Sequence, residues 1–235
     1  MRQIVLDTET TGLSWEKGHR VVEIGCVELM ARRPSGRRFQ RYLNPDRDID
    51  AGAQEVTGLT REFLSDKPRF ADVVSEFIDF IRDAELIIHN AAFDVGFLNA
   101  ELARLDGGFG RIEDHATVLD TLALARERFP GQRNSLDALC RRLDVDNSGR
   151  ELHGALLDAQ LLADVYLALT AGQGDLSLVA PGSGEVAAAL DAVAGAAVGQ
   201  RRVLAATAAE ASAHEQRLDA IDKASGGSLW RRIPS

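Results

Sequence analysis

Ile4-Val5-Leu6-Asp7-Thr8-Glu9-Thr10-Thr11-Gly12 is the stretch on which the reading of this chain turns. Three branched apolar residues predict a buried strand, and two carboxylates one residue apart close it. Side chains in a strand repeat every second residue, so Asp7 and Glu9 share a face. Side by side they repel, and each loses hydration against an apolar core, a cost that a cation between them removes. A hard divalent ion with oxygen ligands meets that need. Thr10, Thr11 and Gly12 add hydroxyls, backbone N–H groups and a flexible turn where a phosphate could approach. On this stretch alone the plain alternative, a strand ending in polar residues at the surface, stays open.

Working outward, Trp15 to His19 read as a polar loop, Arg20 to Met30 as a long strand and Arg37 to Leu43 as a third. Short links make these three antiparallel neighbours. Asn44-Pro45-Asp46 breaks the pattern. Val56-Thr57-Gly58-Leu59-Thr60 reads as a turn in which Thr60 caps a short helix. Phe70, Val73, Val74, Phe77, Ile78 and Ile81 recur at helical spacing. Glu85 to Asn90 predicts another buried strand, leading through Ala91-Ala92-Phe93 into a helix that starts at or near Asp94. Its stripe is Phe97, Leu98, Leu102 and Leu105, and Asp94 lies on the same inward face, as a helix cap or as a ligand. After a loop over Gly107 to Gly110, Thr117 to Asp120 reads as a short strand, with Asp120 capping the next helix and holding no metal. Helices follow over Leu122 to Phe129 and from Ser135 to Leu143.

Ala155 to Thr170 predicts one more helix, with a core stripe of Leu161, Leu162, Val165 and Leu169. Asp158 extends that stripe, too far in to cap the helix, and a buried acid needs a partner or a metal. Gly154 lets the chain turn, so His153 sits on the loop before the helix, free to reach over the site. Antiparallel strands first, then strands joined through helices, give an α/β fold, a mixed sheet flanked by helices.

Composition sets the outer limits. The 235 residues are 45% hydrophobic and 27% charged, enough for one sizeable core and something smaller. A net charge of −9 argues against a tight grip on nucleic acid by this chain alone, since phosphate affinity needs positive charge. Cys26 and Cys140 form neither a disulfide framework nor a zinc pattern. Without a long apolar run there is no membrane partner, and the expected location is cytoplasmic.

Asp7-Thr8-Glu9, then Asp94, then His153 and Asp158, resemble the four acids and histidine of the DEDDh 3′→5′ exonucleases, with the spacing His-x4-Asp. The stretches VLDTETTG, ELIIHNAAFD, RNSLDALC and LHGALLDAQLLADVYLAL resemble the epsilon (proofreading) subunits of bacterial DNA polymerase III. The resemblance runs from Met1 to about Thr170 and resumes from about Arg202 to Arg231, leaving out Asp106 to Ala116 and Pro181 to Gln200. It implies a ribonuclease-H-like fold and two divalent metal ions, Mg2+ or Mn2+. Asp7 would bridge both ions, Glu9 and Asp158 would complete one site and Asp94 the other, with His153 as general base. The substrate would be a single-stranded 3′ end of DNA and the product a nucleoside monophosphate. Thr8, Glu9, Thr10, Thr11, Gly12, Val56, Thr57, His89 and Phe93 are candidates for holding the terminal nucleotide.

Three segments follow from this reading: an exonuclease domain over 1–170, a flexible linker over 171–200, and a C-terminal polymerase-binding segment over 201–235. Gln173, Leu176 and Leu178 resemble the short peptide that bacterial replication proteins insert into the sliding clamp, plain linker being the alternative. Further on, Arg202 to Leu204 reads as a short strand. Thr207-Ala208-Ala209-Glu210 is a capping box. Ala211, His214, Leu218 and Ile221 follow at helical spacing, then Gly226-Gly227, Leu229 and Trp230. This small helical tail module cannot bury its own apolar side chains and is expected to fold on a partner. The resemblance makes that partner the catalytic alpha subunit of the polymerase, touched by Leu218, Ile221, Leu229 and Trp230. Rival readings are an RNA-trimming enzyme of the same fold, and an inactive subunit that spaces the polymerase.

Overall fold

Strand β1 (Arg2–Thr10) pairs antiparallel with β2 (Val21–Met30), and β2 with β3 (Arg33–Tyr42). On its other side β1 pairs in parallel with β4 (Glu85–Ile88), and β4 with β5 (Thr117–Asp120). The sheet order is therefore β3-β2-β1-β4-β5, with the opening stretch at its centre. These coordinates are a computed structural model describing residues 1–150, 152–171 and 206–225. The chain divides into two units, Met1–Asp175 and Leu176–Ser235.

In the first unit, helices α1 (Ala51–Thr57), α2 (Arg61–Leu64) and α3 (Phe70–Ile81) precede β4. Helices α4 (Ala91–Leu102) and α5 (Ile112–His115) link β4 to β5. Helices α6 (Thr121–Arg128), α7 (Leu136–Arg142) and α8 (Ala155–Leu169) follow. The period of two along β1 divides the core. Ile4 and Leu6 pack with Phe77, Ile81 and Phe97 on one face, while Val5 packs with Ile87, Leu162 and Tyr166 on the other. Asp7 and Glu9 continue the row of Val5, towards the α8 layer.

Glycine decides how closely that layer approaches. Gly25 pairs with Asp7 in the sheet register. A methyl group there would lie 2.2 Å from the backbone carbon of Ala155. The first turn of α8 thus rests directly on β2. On the opposite layer α4 is tied to the sheet by a half-buried ion pair: Arg20 Nε and Nη2 each donate to the buried Glu101 carboxylate at 2.6 Å. Glu101 also accepts from the Val21 N–H at 3.2 Å.

Several boundaries differ from the sequence expectation. Residues 51–57 form a helix that no apolar stripe announces, since all but two of its residues are exposed. Val56 and Thr57 therefore end a helix capped by left-handed Gly58, instead of opening a turn. Thr60 does cap α2, accepting the Phe63 N–H at 3.1 Å. Helix α4 starts three residues before Asp94, because Asn90 takes a left-handed conformation (φ 67°, ψ 53°) that turns β4 straight into it. Asp94 is accordingly not its cap. Strand β3 begins at Arg33, and Trp15–Lys17 form a 3-10 turn. Asp120 caps α6 as expected, accepting the Leu122 N–H at 2.8 Å. Both cysteines are free and buried.

In the second unit the described element is α9 (Ala208–Ser225). Its capping box forms: Glu210 accepts from the Thr207 N–H at 2.8 Å and donates its own N–H to the Thr207 hydroxyl at 3.3 Å. Leu218 is buried and Ile221 exposed. Gln173, Leu176, Leu178, the expected strand at 202–204, Gly226, Gly227, Leu229 and Trp230 lie outside the described residues. Among those described, no helix is long and apolar enough to cross a membrane.

Candidate active site

Three ends meet where β1 outruns its parallel neighbour. Strand β4 pairs with β1 over Gln3–Val5 and stops at Ile88, so later N–H groups on that edge of β1 need other acceptors. Asp94, on the first turn of α4, supplies one. Its Oδ1 accepts the Thr8 N–H at 3.0 Å and the Thr8 hydroxyl at 2.7 Å. From the other layer α8 presents buried Asp158. Glu9, His153 and Asp158 each place a ligand atom within 4.8 Å of the others.

The electrostatics are those of crowded, desolvated acids. Burial raises the Asp7 carboxyl well above its ordinary range, and repulsion from Asp94, Glu9 and Asp158 adds to it. Burial and repulsion from Asp158 and Glu23 push Glu9 up to about 8. Burial lifts Asp94 to about 7 against the lowering effect of its Thr8 hydrogen bonds. No donor among the described residues reaches the Asp7 or Glu9 carboxylate. Glu9 is buried and Asp7 half-buried; mutually repelling and without donors among the described residues, these oxygens fit a hard divalent cation better than any protein partner nearby.

Two residues that the sequence does not flag complete the surroundings. Glu23, opposite Glu9 in the register, is buried and accepts the Ala155 N–H at 3.1 Å and Gln40 Nε2 at 2.8 Å. It pins the start of α8, directly after His153 and Gly154. In mid-strand among Val and Ile it reads as an ordinary outward acid. Arg150, on the loop before α8, holds both Asp158 oxygens at 2.6 Å. That loop is mostly polar, so nothing in its composition singles out one arginine. His153 donates its backbone N–H to Val56 O at 3.0 Å and leaves its side chain 44% exposed.

Beside the acids lies a cleft of about 450 Å³ walled by Thr8, Glu9, Thr10, Gly12, Val56, Thr57 and Phe93, together with Leu13, Asp50, Gly52 and Ala53. Phe93 packs at a tilt against Phe97 with centroids 4.8 Å apart, so it belongs to core and wall at once. Gly12 is required here, since a Cβ would meet the His19 ring at 2.4 Å. Thr11 and His89 lie off this wall. The Thr11 hydroxyl bonds His19 Nδ1 at 3.1 Å, and His89 Nδ1 bonds the Thr121 hydroxyl at 2.9 Å.

Comparison with known proteins gives this arrangement a lineage. The exonuclease family model matches residues 4–166. The DNA polymerase III epsilon subunit of Salmonella typhimurium is 51% identical over 239 residues, covering 98% of this chain and 97% of that protein. That of Escherichia coli K12 is 50% identical with the same coverage. This chain belongs to the epsilon-subunit family of exonucleases. Family members are 3′→5′ exonucleases, and so is this chain. In fold it matches exonuclease X, solved with 5′-overhanging duplex DNA, at a TM-score of 0.59 and 24% identity, over 73% of this chain and 93% of that one. That likeness is one of fold, a ribonuclease-H-like mixed sheet flanked by helices.

Proposed function

We propose that this chain removes mismatched 3′-terminal nucleotides from DNA as nucleoside monophosphates, proofreading for a DNA polymerase III core. Two divalent ions, Mg2+ or Mn2+, would be held by Asp7, Glu9, Asp94 and Asp158. The observation that carries the reading is the pair of donor-less carboxylates, Asp7 and Glu9, facing Asp158. Bound there, such ions supply a water of lowered pKa and stabilise charge on a departing oxygen. His153, half-exposed at the mouth of the site, accepts the proton of the attacking water at a ring nitrogen. The cleft wall of Thr8, Thr10, Gly12, Val56, Thr57 and Phe93 holds the terminal nucleotide, hydroxyls towards phosphate and sugar, and Phe93 against the base.

The acidic chain needs little grip of its own if a polymerase supplies proximity. We assign that contact to the tail, with Leu218 and Ile221 on α9 and then Leu229 and Trp230. We assign a clamp contact to residues 173–178. Digestion of a 3′-mismatched DNA primer and a matched RNA of equal sequence, with Mg2+ and then with chelator, tests the reading. The expected result is metal-dependent shortening of the DNA and little of the RNA. Equal shortening of both would favour the RNA-trimming alternative, and activity surviving the chelator would remove the metals.

A further inference from the structure

A cation already sits on Asp158. The Arg150 guanidinium, its side chain only 7% exposed, spans the carboxylate with Nε and Nη2 at 2.6 Å each. Nη2 also lies 2.8 Å from His153 Nδ1. On the far side Nη1 donates to Asp137 Oδ1 at 2.6 Å. Asp137 belongs to α7, is 43% exposed and also accepts from Asn147 Nδ2 at 3.3 Å.

We propose that Arg150 is a positioning residue that holds Asp158 and His153 in a closed resting arrangement and releases both before the strand is cut. The proposal rests on the reading that Glu9 and Asp158 take a divalent ion. Arginine has only donors, so at 2.8 Å Nδ1 of His153 must be the acceptor. Nδ1, which also lies 3.3 Å from Asp158 Oδ2, is thereby occupied and the ring is held against the carboxylate. Asp158 is constrained in the same way. Each of its oxygens keeps one lone pair beyond those facing the arginine, but a second cation placed on them sits against the guanidinium charge. The release has a natural direction. Asp137 is bound through Nη1, the nitrogen that touches neither Asp158 nor His153, so the guanidinium keeps one charged partner while giving up both. The bidentate fork matters more than the charge, since a lysine ammonium cannot span two carboxylate oxygens and an imidazole together.

The test uses the full chain, stripped of divalent ions, and titrates Mn2+ by calorimetry in wild type, Arg150→Gln and Arg150→Lys. Competition predicts that Arg150→Gln binds Mn2+ about tenfold more tightly than wild type, with Arg150→Lys in between. Metal-free melting should fall for Arg150→Gln, because Asp158 loses its buried partner; Arg150→Lys serves if that variant does not fold. Nitrogen NMR of His153 gives a second readout. In metal-free wild type Nδ1 should report as an unprotonated acceptor, and its signal should move when Mg2+ is added. In Arg150→Gln the moved signal should be present before any Mg2+. Affinity unchanged or weakened in both variants would overturn the proposal while leaving the metal site standing. A folded wild type that binds no Mn2+ at all would instead overturn the metal reading, and this inference with it.

Discussion

Glu9 is the residue in which the conflict at this site is sharpest. Its carboxyl titrates ordinarily near 4.5 and is pushed up to about 8 by burial and by Asp158 and Glu23. A raised folded-state value means that the stabilising contribution is complete below the unfolded value and is lost as pH rises through the folded one. Metal-free protein should therefore lose stability across pH 5 to 8, with Asp94, raised from 3.8 to about 7, losing its share in the lower part of that window. Glu9→Gln removes the conflict. Near pH 4 it should melt like wild type, and near pH 8 in chelator it should be the more stable protein, by on the order of 3 kcal/mol. Added Mg2+ should reverse that order by stabilising wild type. Melting curves over pH, with and without chelator, check this; a metal-free difference that stays constant with pH would contradict the assigned cause. His153 differs in kind, because it is proposed as a base. His153→Ala should retain Mn2+ binding and lose roughly 10²–10⁴ in rate. Since its ring lies within ligand reach of Glu9 and Asp158, a loss of Mn2+ affinity in that variant would make it a ligand instead.

Helix α8 shows how an element brings distant residues into register. Gly25 lets its first turn rest on β2, Glu23 holds the Ala155 N–H, and together they set Asp158 opposite Asp7 and Glu9. Gly25→Ala inserts a methyl group 2.2 Å from backbone that cannot rotate away. Such overpacking should cost about 1–3 kcal/mol and shift α8, lowering the exonuclease rate by more than the stability loss accounts for. Melting and single-turnover digestion of the same preparation separate the two effects, and a normal rate in this variant would show that α8 placement is not critical. The elements carrying apolar stripes, α3 and α8, are legible in the sequence because their periodicity is long and regular. Helix α1 is not, since its residues face solvent and only Thr57 is buried. The early start of α4 is hidden because it depends on Asn90 taking a left-handed conformation, which composition does not dictate. The four acids and His153 stand out through their neighbours and spacing. Glu23 and Arg150 do not, because their meaning lies in partners 132 and 8 residues away along the chain.

At the scale of the whole molecule, catalysis and attachment are proposed to reside in separate parts. Cutting after Thr170 should leave a folded, active exonuclease, because β1 to β5, the four acids and α8 all precede that point. The same cut should abolish binding to the polymerase. Trp230→Ala alone should weaken that complex at least about thirtyfold, the scale expected when a large aromatic anchor is lost, with rates on free single strands unchanged. Titration of each variant against isolated polymerase subunit checks this, and full binding by the truncated chain would move the contact onto the nuclease. Everything else depends on whether four acids from β1, α4 and α8 form one hydrolytic centre. The most direct measurement is digestion of a 3′-mismatched single strand at saturating Mg2+ by wild type and Asp7→Ala, with the product identified and melting recorded alongside. The account predicts nucleoside monophosphates released from the 3′ end by wild type, and almost none from a folded Asp7→Ala. Substantial release by Asp7→Ala would contradict it.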